Sequence, residues 1–186
     1  MIYVSIKING QVVAEDIEER TLLLDFVRDT AGLMGARNGC YEARCGCCAV
    51  LLDGQVVKSC NVLAAQADGH EVTTVESLTP VGDRVIEDPS AEAAIGTYEP
   101  LHVRGIAPER LHPLQAAFRR HGALQCGFCT GGMLIVLTEY LKRTPNPTED
   151  DVRSALRGNL CRCTGYQSIV DAALDAADDV RNLARR

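Results

Sequence analysis

Eight of the nine cysteines in this 186-residue sequence fall into two sets of four. Cys40, Cys45 and Cys48 form C-x4-C-x2-C, and Cys60 follows. That is the spacing of a plant-type [2Fe–2S] cluster, in which one tight loop supplies three thiolates and a more distant residue closes the cage. Each ferric ion takes two thiolates in tetrahedral geometry beside the bridging sulfides. Gly39 and Gly46 suit such a loop, because a backbone without Cβ can curl around the inorganic core and turn N–H groups toward sulfur. Zinc, the competing metal, more usually takes two short C-x2-C hooks. Cys47 is left over, since using it in place of Cys48 gives C-x4-C-x-C, and it reads as a small apolar filler beside the cluster.

The second set is Cys126-x2-Cys129 with Cys161-x-Cys163, two short hooks of two ligands each. On spacing alone, zinc and an iron–sulfur cluster fit it equally, because closed four-cysteine sites serve both. Adjacency to a plant-type site favours iron. His70, His102, His112 and His121 pair with no cysteine at Rieske or zinc-finger spacing. There is no G-x-G-x-x-G, Walker A or G-x-S-x-G segment, hence no visible nucleotide site or nucleophile. Two one-electron centres without substrate-activating residues describe a relay, whose donor and acceptor sit on other polypeptides. A free-standing two-cluster ferredoxin-type carrier is the alternative reading.

The elements that must hold these ligands can be read from the apolar pattern. Ile2, Val4, Ile6 and Ile8 alternate with polar residues as a half-buried strand does, and Asn9-Gly10 turns the chain back into a partner at 11–14. Thr21 is the expected cap of a short helix that buries Leu22, Leu23, Phe26 and Val27 and ends near Gly32. A second hairpin, 49–52 with 55–58, turns at Asp53-Gly54, and 72–75 is a final strand. Residues 1–78 thus make a small β-grasp domain. From 79 to 113 five of the seven prolines break any regular pattern, which marks 79–112 as a long interdomain linker.

Beyond it the period becomes helical. A helix starts after Pro113, a second covers 133–142, a third is capped by Thr148 with Asp151, and a fourth runs from about Tyr166 to Leu183. Residues 113–186 therefore read as an all-α four-helix bundle, and the whole chain as α+β. Each hook precedes a helix, so two positive helix ends can face one anionic centre.

Composition narrows the partners. A net charge of -6 and 4% aromatic residues disfavour nucleic acid and anionic membrane surfaces. No signal segment opens the chain and no apolar run is long enough to span a bilayer, so a soluble cytoplasmic protein is expected. In that reducing compartment nine cysteines are better explained by ligation than by disulfides.

The ligand motifs carry a resemblance as well. Gly39-Cys40, Cys45-Gly46-Cys47-Cys48, Leu52-Asp53-Gly54, Ser59-Cys60, the run Leu124 to Thr130 and the run Gly158 to Tyr166 are similar to the small iron–sulfur subunit of the molybdenum hydroxylases, the xanthine oxidase and aerobic carbon monoxide dehydrogenase family. The resemblance covers nearly the whole chain. It implies an N-terminal β-grasp plant-type ferredoxin domain, a four-helix [2Fe–2S] domain, and a complex with a large molybdopterin-binding subunit and an FAD-binding medium subunit. Whether that heterotrimer dimerises stays open. It also implies that electrons pass from molybdenum to the helical-domain cluster, then to the plant-type cluster, then to FAD. Gln125 resembles the family glutamine that hydrogen-bonds the pterin, and Cys163 the ligand nearest that cofactor.

Three positions depart from the family pattern. Tyr41, Glu42, Ala43 and Arg44 fill the first ligand interval without the usual glycine, which puts the loop's path in question. Gly131 replaces a proline and is expected to loosen the start of the helix after Cys129. The stretch from Thr79 to Leu111 is longer than the family's short linker.

Overall fold

A computed structural model describes residues 1–79, 111–144 and 146–184. The expected linker therefore lies almost wholly outside the described residues, as does Pro145 in the turn after the second long helix.

The N-terminal half is built on a five-stranded mixed sheet in the order β2-β1-β5-β3-β4. Strand β1 (Ile2–Ile8) and strand β2 (Gln11–Ile17) are antiparallel, with Ile8 opposite Gln11 across the turn. Asn9 and Gly10 have φ of 49° and 84°, the left-handed pair a two-residue hairpin requires. Strand β3 (Ala49–Leu52) and β4 (Gln55–Lys58) repeat this at Asp53 and Gly54, with φ of 48° and 77°. The alternation in β1 resolves as expected: Val4, Ile6 and Ile8 are buried, whereas Tyr3 is exposed. Strand β2 runs three residues beyond its sequence estimate.

Strand β5 (Glu71–Thr73) lies between β1, to which it is parallel, and β3, to which it is antiparallel. It starts and ends earlier than the pattern suggested. Val75 leaves the sheet to begin a 3-10 turn, Val75–Leu78, and packs toward the other half of the molecule.

Helix α1 (Leu23–Asp25) continues as a π-type turn over Phe26–Thr30, and Leu23, Leu24, Phe26 and Val27 are all fully buried. Thr21 is not its cap. Leu22 holds that position without a side-chain bond, and Leu23 donates its N–H to the Val62 carbonyl at 2.8 Å. A distant backbone acceptor thus does what a capping side chain does in an isolated helix.

In the C-terminal half, helices α2 (Pro113–Arg120), α3 (Thr130–Arg143), α4 (Glu149–Ala155) and α5 (Gln167–Ala184) share one buried cluster. The Thr148–Asp151 capping box is present, with Asp151 N–H on the Thr148 hydroxyl at 3.3 Å and Thr148 N–H on the Asp151 carboxylate at 2.9 Å. Helix α2 is capped by His112, whose Nδ1 accepts from Leu114 N–H at 3.3 Å. Alanines 172, 173 and 176 are fully buried on α5, so α2, α3 and α4 all pack closely against it.

Helix α3 begins three residues earlier than its sequence estimate and is buried on two faces. Met133, Leu134, Leu137 and Leu141 enter the helical core, as the pattern required. Ile135 instead packs against Ala49 and Leu51 of β3, and Thr138 is buried as well. Helix α3 is the shared wall of the two halves. Among the described residues no helix is long and apolar enough to cross a membrane.

Candidate metal centres

The first ligand loop owes its shape to left-handed backbone at Tyr41, Ala43 and Gly46, with φ of 53°, 56° and 72°. This turns successive N–H groups inward. Glu42, Arg44 and Cys45 donate to Cys40 Sγ at 3.3, 3.4 and 3.4 Å. Led by the Cys45 amide, these bonds hold the Cys40 thiol down at about 7. A carbon added at Gly39 would stand 2.7 Å from Cys45 Sγ, so no side chain fits there.

Cys48 and Cys60 lie deeper and are both buried. Burial pushes the Cys60 thiol up to about 11, against the opposing amide of Ala43. The four thiols converge: Cys45 is a neighbour of Cys40, and Cys48 and Cys40 are both neighbours of Cys60. Cys47 is buried beside Cys45, its thiol directed to the Cys45 carbonyl at 3.9 Å. Burial, with Cys45 and Cys129 nearby, raises it to about 12.

The second foursome is assembled from two hooks. Cys129 is the N-terminal cap of α3, with Cys126 just before it. Cys161 and Cys163 lie between α4 and α5. Tyr166 anchors this hook, its hydroxyl accepting from Cys161 N–H at 2.8 Å and donating to the Asn159 carbonyl at 3.1 Å. Cys126 and Cys163 have their sulfurs 3.5 Å apart, and Cys161 and Cys126 are both neighbours of Cys129. Two thiolates on one tetrahedral ion with 2.3 Å bonds stand roughly 3.8 Å apart, close to that spacing.

The protonation environments differ within the set. Burial raises Cys129 to about 12. Burial also acts to raise Cys161, but the Thr164 hydroxyl and amide outweigh it and leave the thiol lowered. The Phe128 amide lowers Cys126, while its bond to Cys126 raises Cys163. Cys126 and Cys163 are exposed, and Gln125 is exposed beside them. Among the described residues no three His, Cys, Asp or Glu side chains form a nest for a single ion.

The two foursomes abut. Leu160 donates its N–H to the Cys45 carbonyl at 2.9 Å, and Asn159 Nδ2 donates to the Gly46 carbonyl at 3.1 Å. Asn159 is only 4% exposed. A carbon on Gly132 would lie 2.2 Å from the Gly46 carbonyl oxygen, and one on Gly131 2.6 Å from that of Gly35. Gly131 therefore has a packing reason, the close approach of α3 to the backbone of Gly35, where the sequence suggested only a loosened helix start. Asn159 was missed by sequence reasoning. A polar residue between Gly158 and the Cys161 hook was its only signal.

Comparison with known proteins agrees with this geometry. A 2Fe-2S iron-sulfur cluster binding domain family matches residues 6–77, and a [2Fe-2S] binding domain family matches residues 97–174. The nicotine 6-hydroxylase small subunit of Paenarthrobacter nicotinovorans is 41% identical over 179 residues, covering 96% of this chain and 92% of that one. The structure of quinoline 2-oxidoreductase from Pseudomonas putida 86 matches with a TM-score of 0.77 and 40% identity, over 100% of this chain and 96% of that one. The aldehyde oxidoreductase of Desulfovibrio desulfuricans ATCC 27774 matches with a TM-score of 0.78 and 34% identity, over 98% of this chain but 17% of its own, longer polypeptide. The chain belongs to the small iron–sulfur subunits of the molybdenum hydroxylases. Its role is electron transfer within an oxidoreductase complex, through two [2Fe–2S] domains.

Proposed function

We propose that Cys40, Cys45, Cys48 and Cys60 hold one [2Fe–2S] cluster and Cys126, Cys129, Cys161 and Cys163 the other. The division runs 1–78 for a β-grasp ferredoxin-like domain, 79–112 for a linker and 113–186 for a four-helix-bundle domain. When bound, the clusters supply one-electron carriage. The chain's own residues hold them side by side, shield the inner thiols and leave one edge of each site accessible.

The observation that carries the relay is the meeting of the two ligand loops. The bond from Leu160 N–H to the Cys45 carbonyl, at 2.9 Å, puts a residue next to one ligand of the second set in direct contact with a ligand of the first. Gln125 and Cys163, exposed at the helical end, face a large molybdopterin-binding subunit, with Gln125 bonding the pterin edge. The Cys40 loop faces an FAD-binding medium subunit in the cytoplasm. Relatives named for nicotine, quinoline and aldehydes share this chain's architecture. That breadth supports a subunit that handles electrons while substrate is chosen on the large subunit.

Purification from the native source tests this reading. Molybdenum and flavin are expected to co-elute with the chain in a stable complex at one of each per chain. A chain that elutes alone with its iron, and reduces several unrelated partners, is instead a free two-cluster carrier.

A further inference from the structure

The first ligand loop departs from its family by lacking glycine between Cys40 and Cys45, yet its backbone is left-handed at Tyr41 and Ala43. An L-residue avoids that region unless its surroundings hold it there. Two side-chain tethers do so. Lys58, the last residue of β4, donates from Nζ to the Ala43 carbonyl at 2.5 Å. Tyr41 donates its hydroxyl to Asp25 Oδ1 at 3.0 Å and accepts from Asn38 Nδ2 at 3.1 Å.

What the tethers hold is the set of N–H groups around the ligands. Residues 42, 44 and 45 donate to Cys40 Sγ. Hydrogen bonds to cluster sulfurs, and positive charge near them, stabilise the more negative reduced state and raise the reduction potential. Lys58 brings both, since its ammonium stands at the loop as well as fixing it.

We propose that Lys58 and Tyr41 are positioning residues that set the reduction potential of the N-terminal cluster, by holding residues 41–44 in the strained turn that aims backbone N–H groups at its ligands. The proposal rests on the iron–sulfur reading of this loop. The two are separable, because the wild-type protein must first show two cluster signals.

A potentiometric titration followed by electron paramagnetic resonance on the cluster-loaded complex tests it, with the N-terminal signal identified as the one lost in Cys60→Ser. Lys58→Met is expected to shift that signal's midpoint to lower potential and leave the other in place. Lys58→Arg, which keeps the charge and a donor, recovers most of the shift. Tyr41→Phe moves it in the same direction by less. Unchanged midpoints in Lys58→Met and Tyr41→Phe overturn the proposal, and so does an equal shift of both signals, which reports general loosening. If Lys58→Met does not retain its iron, Tyr41→Phe decides on the same two criteria.

Discussion

Cys47 and Cys48 are neighbours in the chain with opposite fates. Cys48 has Cys60 as a neighbour, while Cys47 points to the Cys45 carbonyl and lies near Cys129, between the two foursomes. The ferredoxin spacing assigns Cys48 as the proposed ligand, because only Cys48 completes C-x4-C-x2-C. Cys47→Ala should therefore keep about four irons per chain, whereas Cys60→Ser should fall to about two, by the two-iron content of each cluster. Iron analysis of the two purified variants checks this. Loss of iron in Cys47→Ala contradicts the ligand assignment. Asn159 shows the converse, since its role depends on the carbonyl of Gly46, more than a hundred positions away, and no local pattern announces it.

The elements best read from sequence are those whose signal is local. Asn9-Gly10, Asp53-Gly54 and the Thr148–Asp151 box carry their geometry in adjacent residues, and each is found where expected. Helix α1 and strand β5 are settled by tertiary partners instead. Val62 supplies the acceptor that makes a Thr21 cap unnecessary, and Val75 is drawn out of the sheet toward α3. The helical period of α3 identified one face but not the second, on which Ile135 meets β3.

The cap of α2 gives this scale a measurable consequence. Burial, and then the nearby Lys142 ammonium, push the His112 imidazole down from 6.5 to about 4. Protonation would also remove the Nδ1 acceptor that Leu114 N–H uses. Between these values the unfolded chain binds the extra proton and the folded chain does not. The stability from neutral His112 is complete above about pH 6.5 and is lost as the pH falls toward about 4. His112→Asn keeps a capping acceptor without the titration. Denaturant unfolding at pH 7, 6 and 5 should show the wild type losing ground to this variant as pH falls. Parallel profiles contradict the assignment.

At the scale of the whole molecule, two cores are joined through α3, the glycines 46 and 132, and the Asn159 and Leu160 bonds. The interface contains the ligand loops themselves, so packing the halves together is also what sets the clusters side by side. Sequence spacing declared the first cluster, but left the second open between zinc and iron. The family relationship favours iron.

That second site is where the central claim is most exposed. Metal analysis joined to electron paramagnetic resonance of the dithionite-reduced protein tests it directly. About four irons per chain and two distinct signals are expected, each integrating to about one spin, since each reduced [2Fe–2S] cluster takes one electron. A single signal with about two irons, together with one zinc per chain, would contradict it.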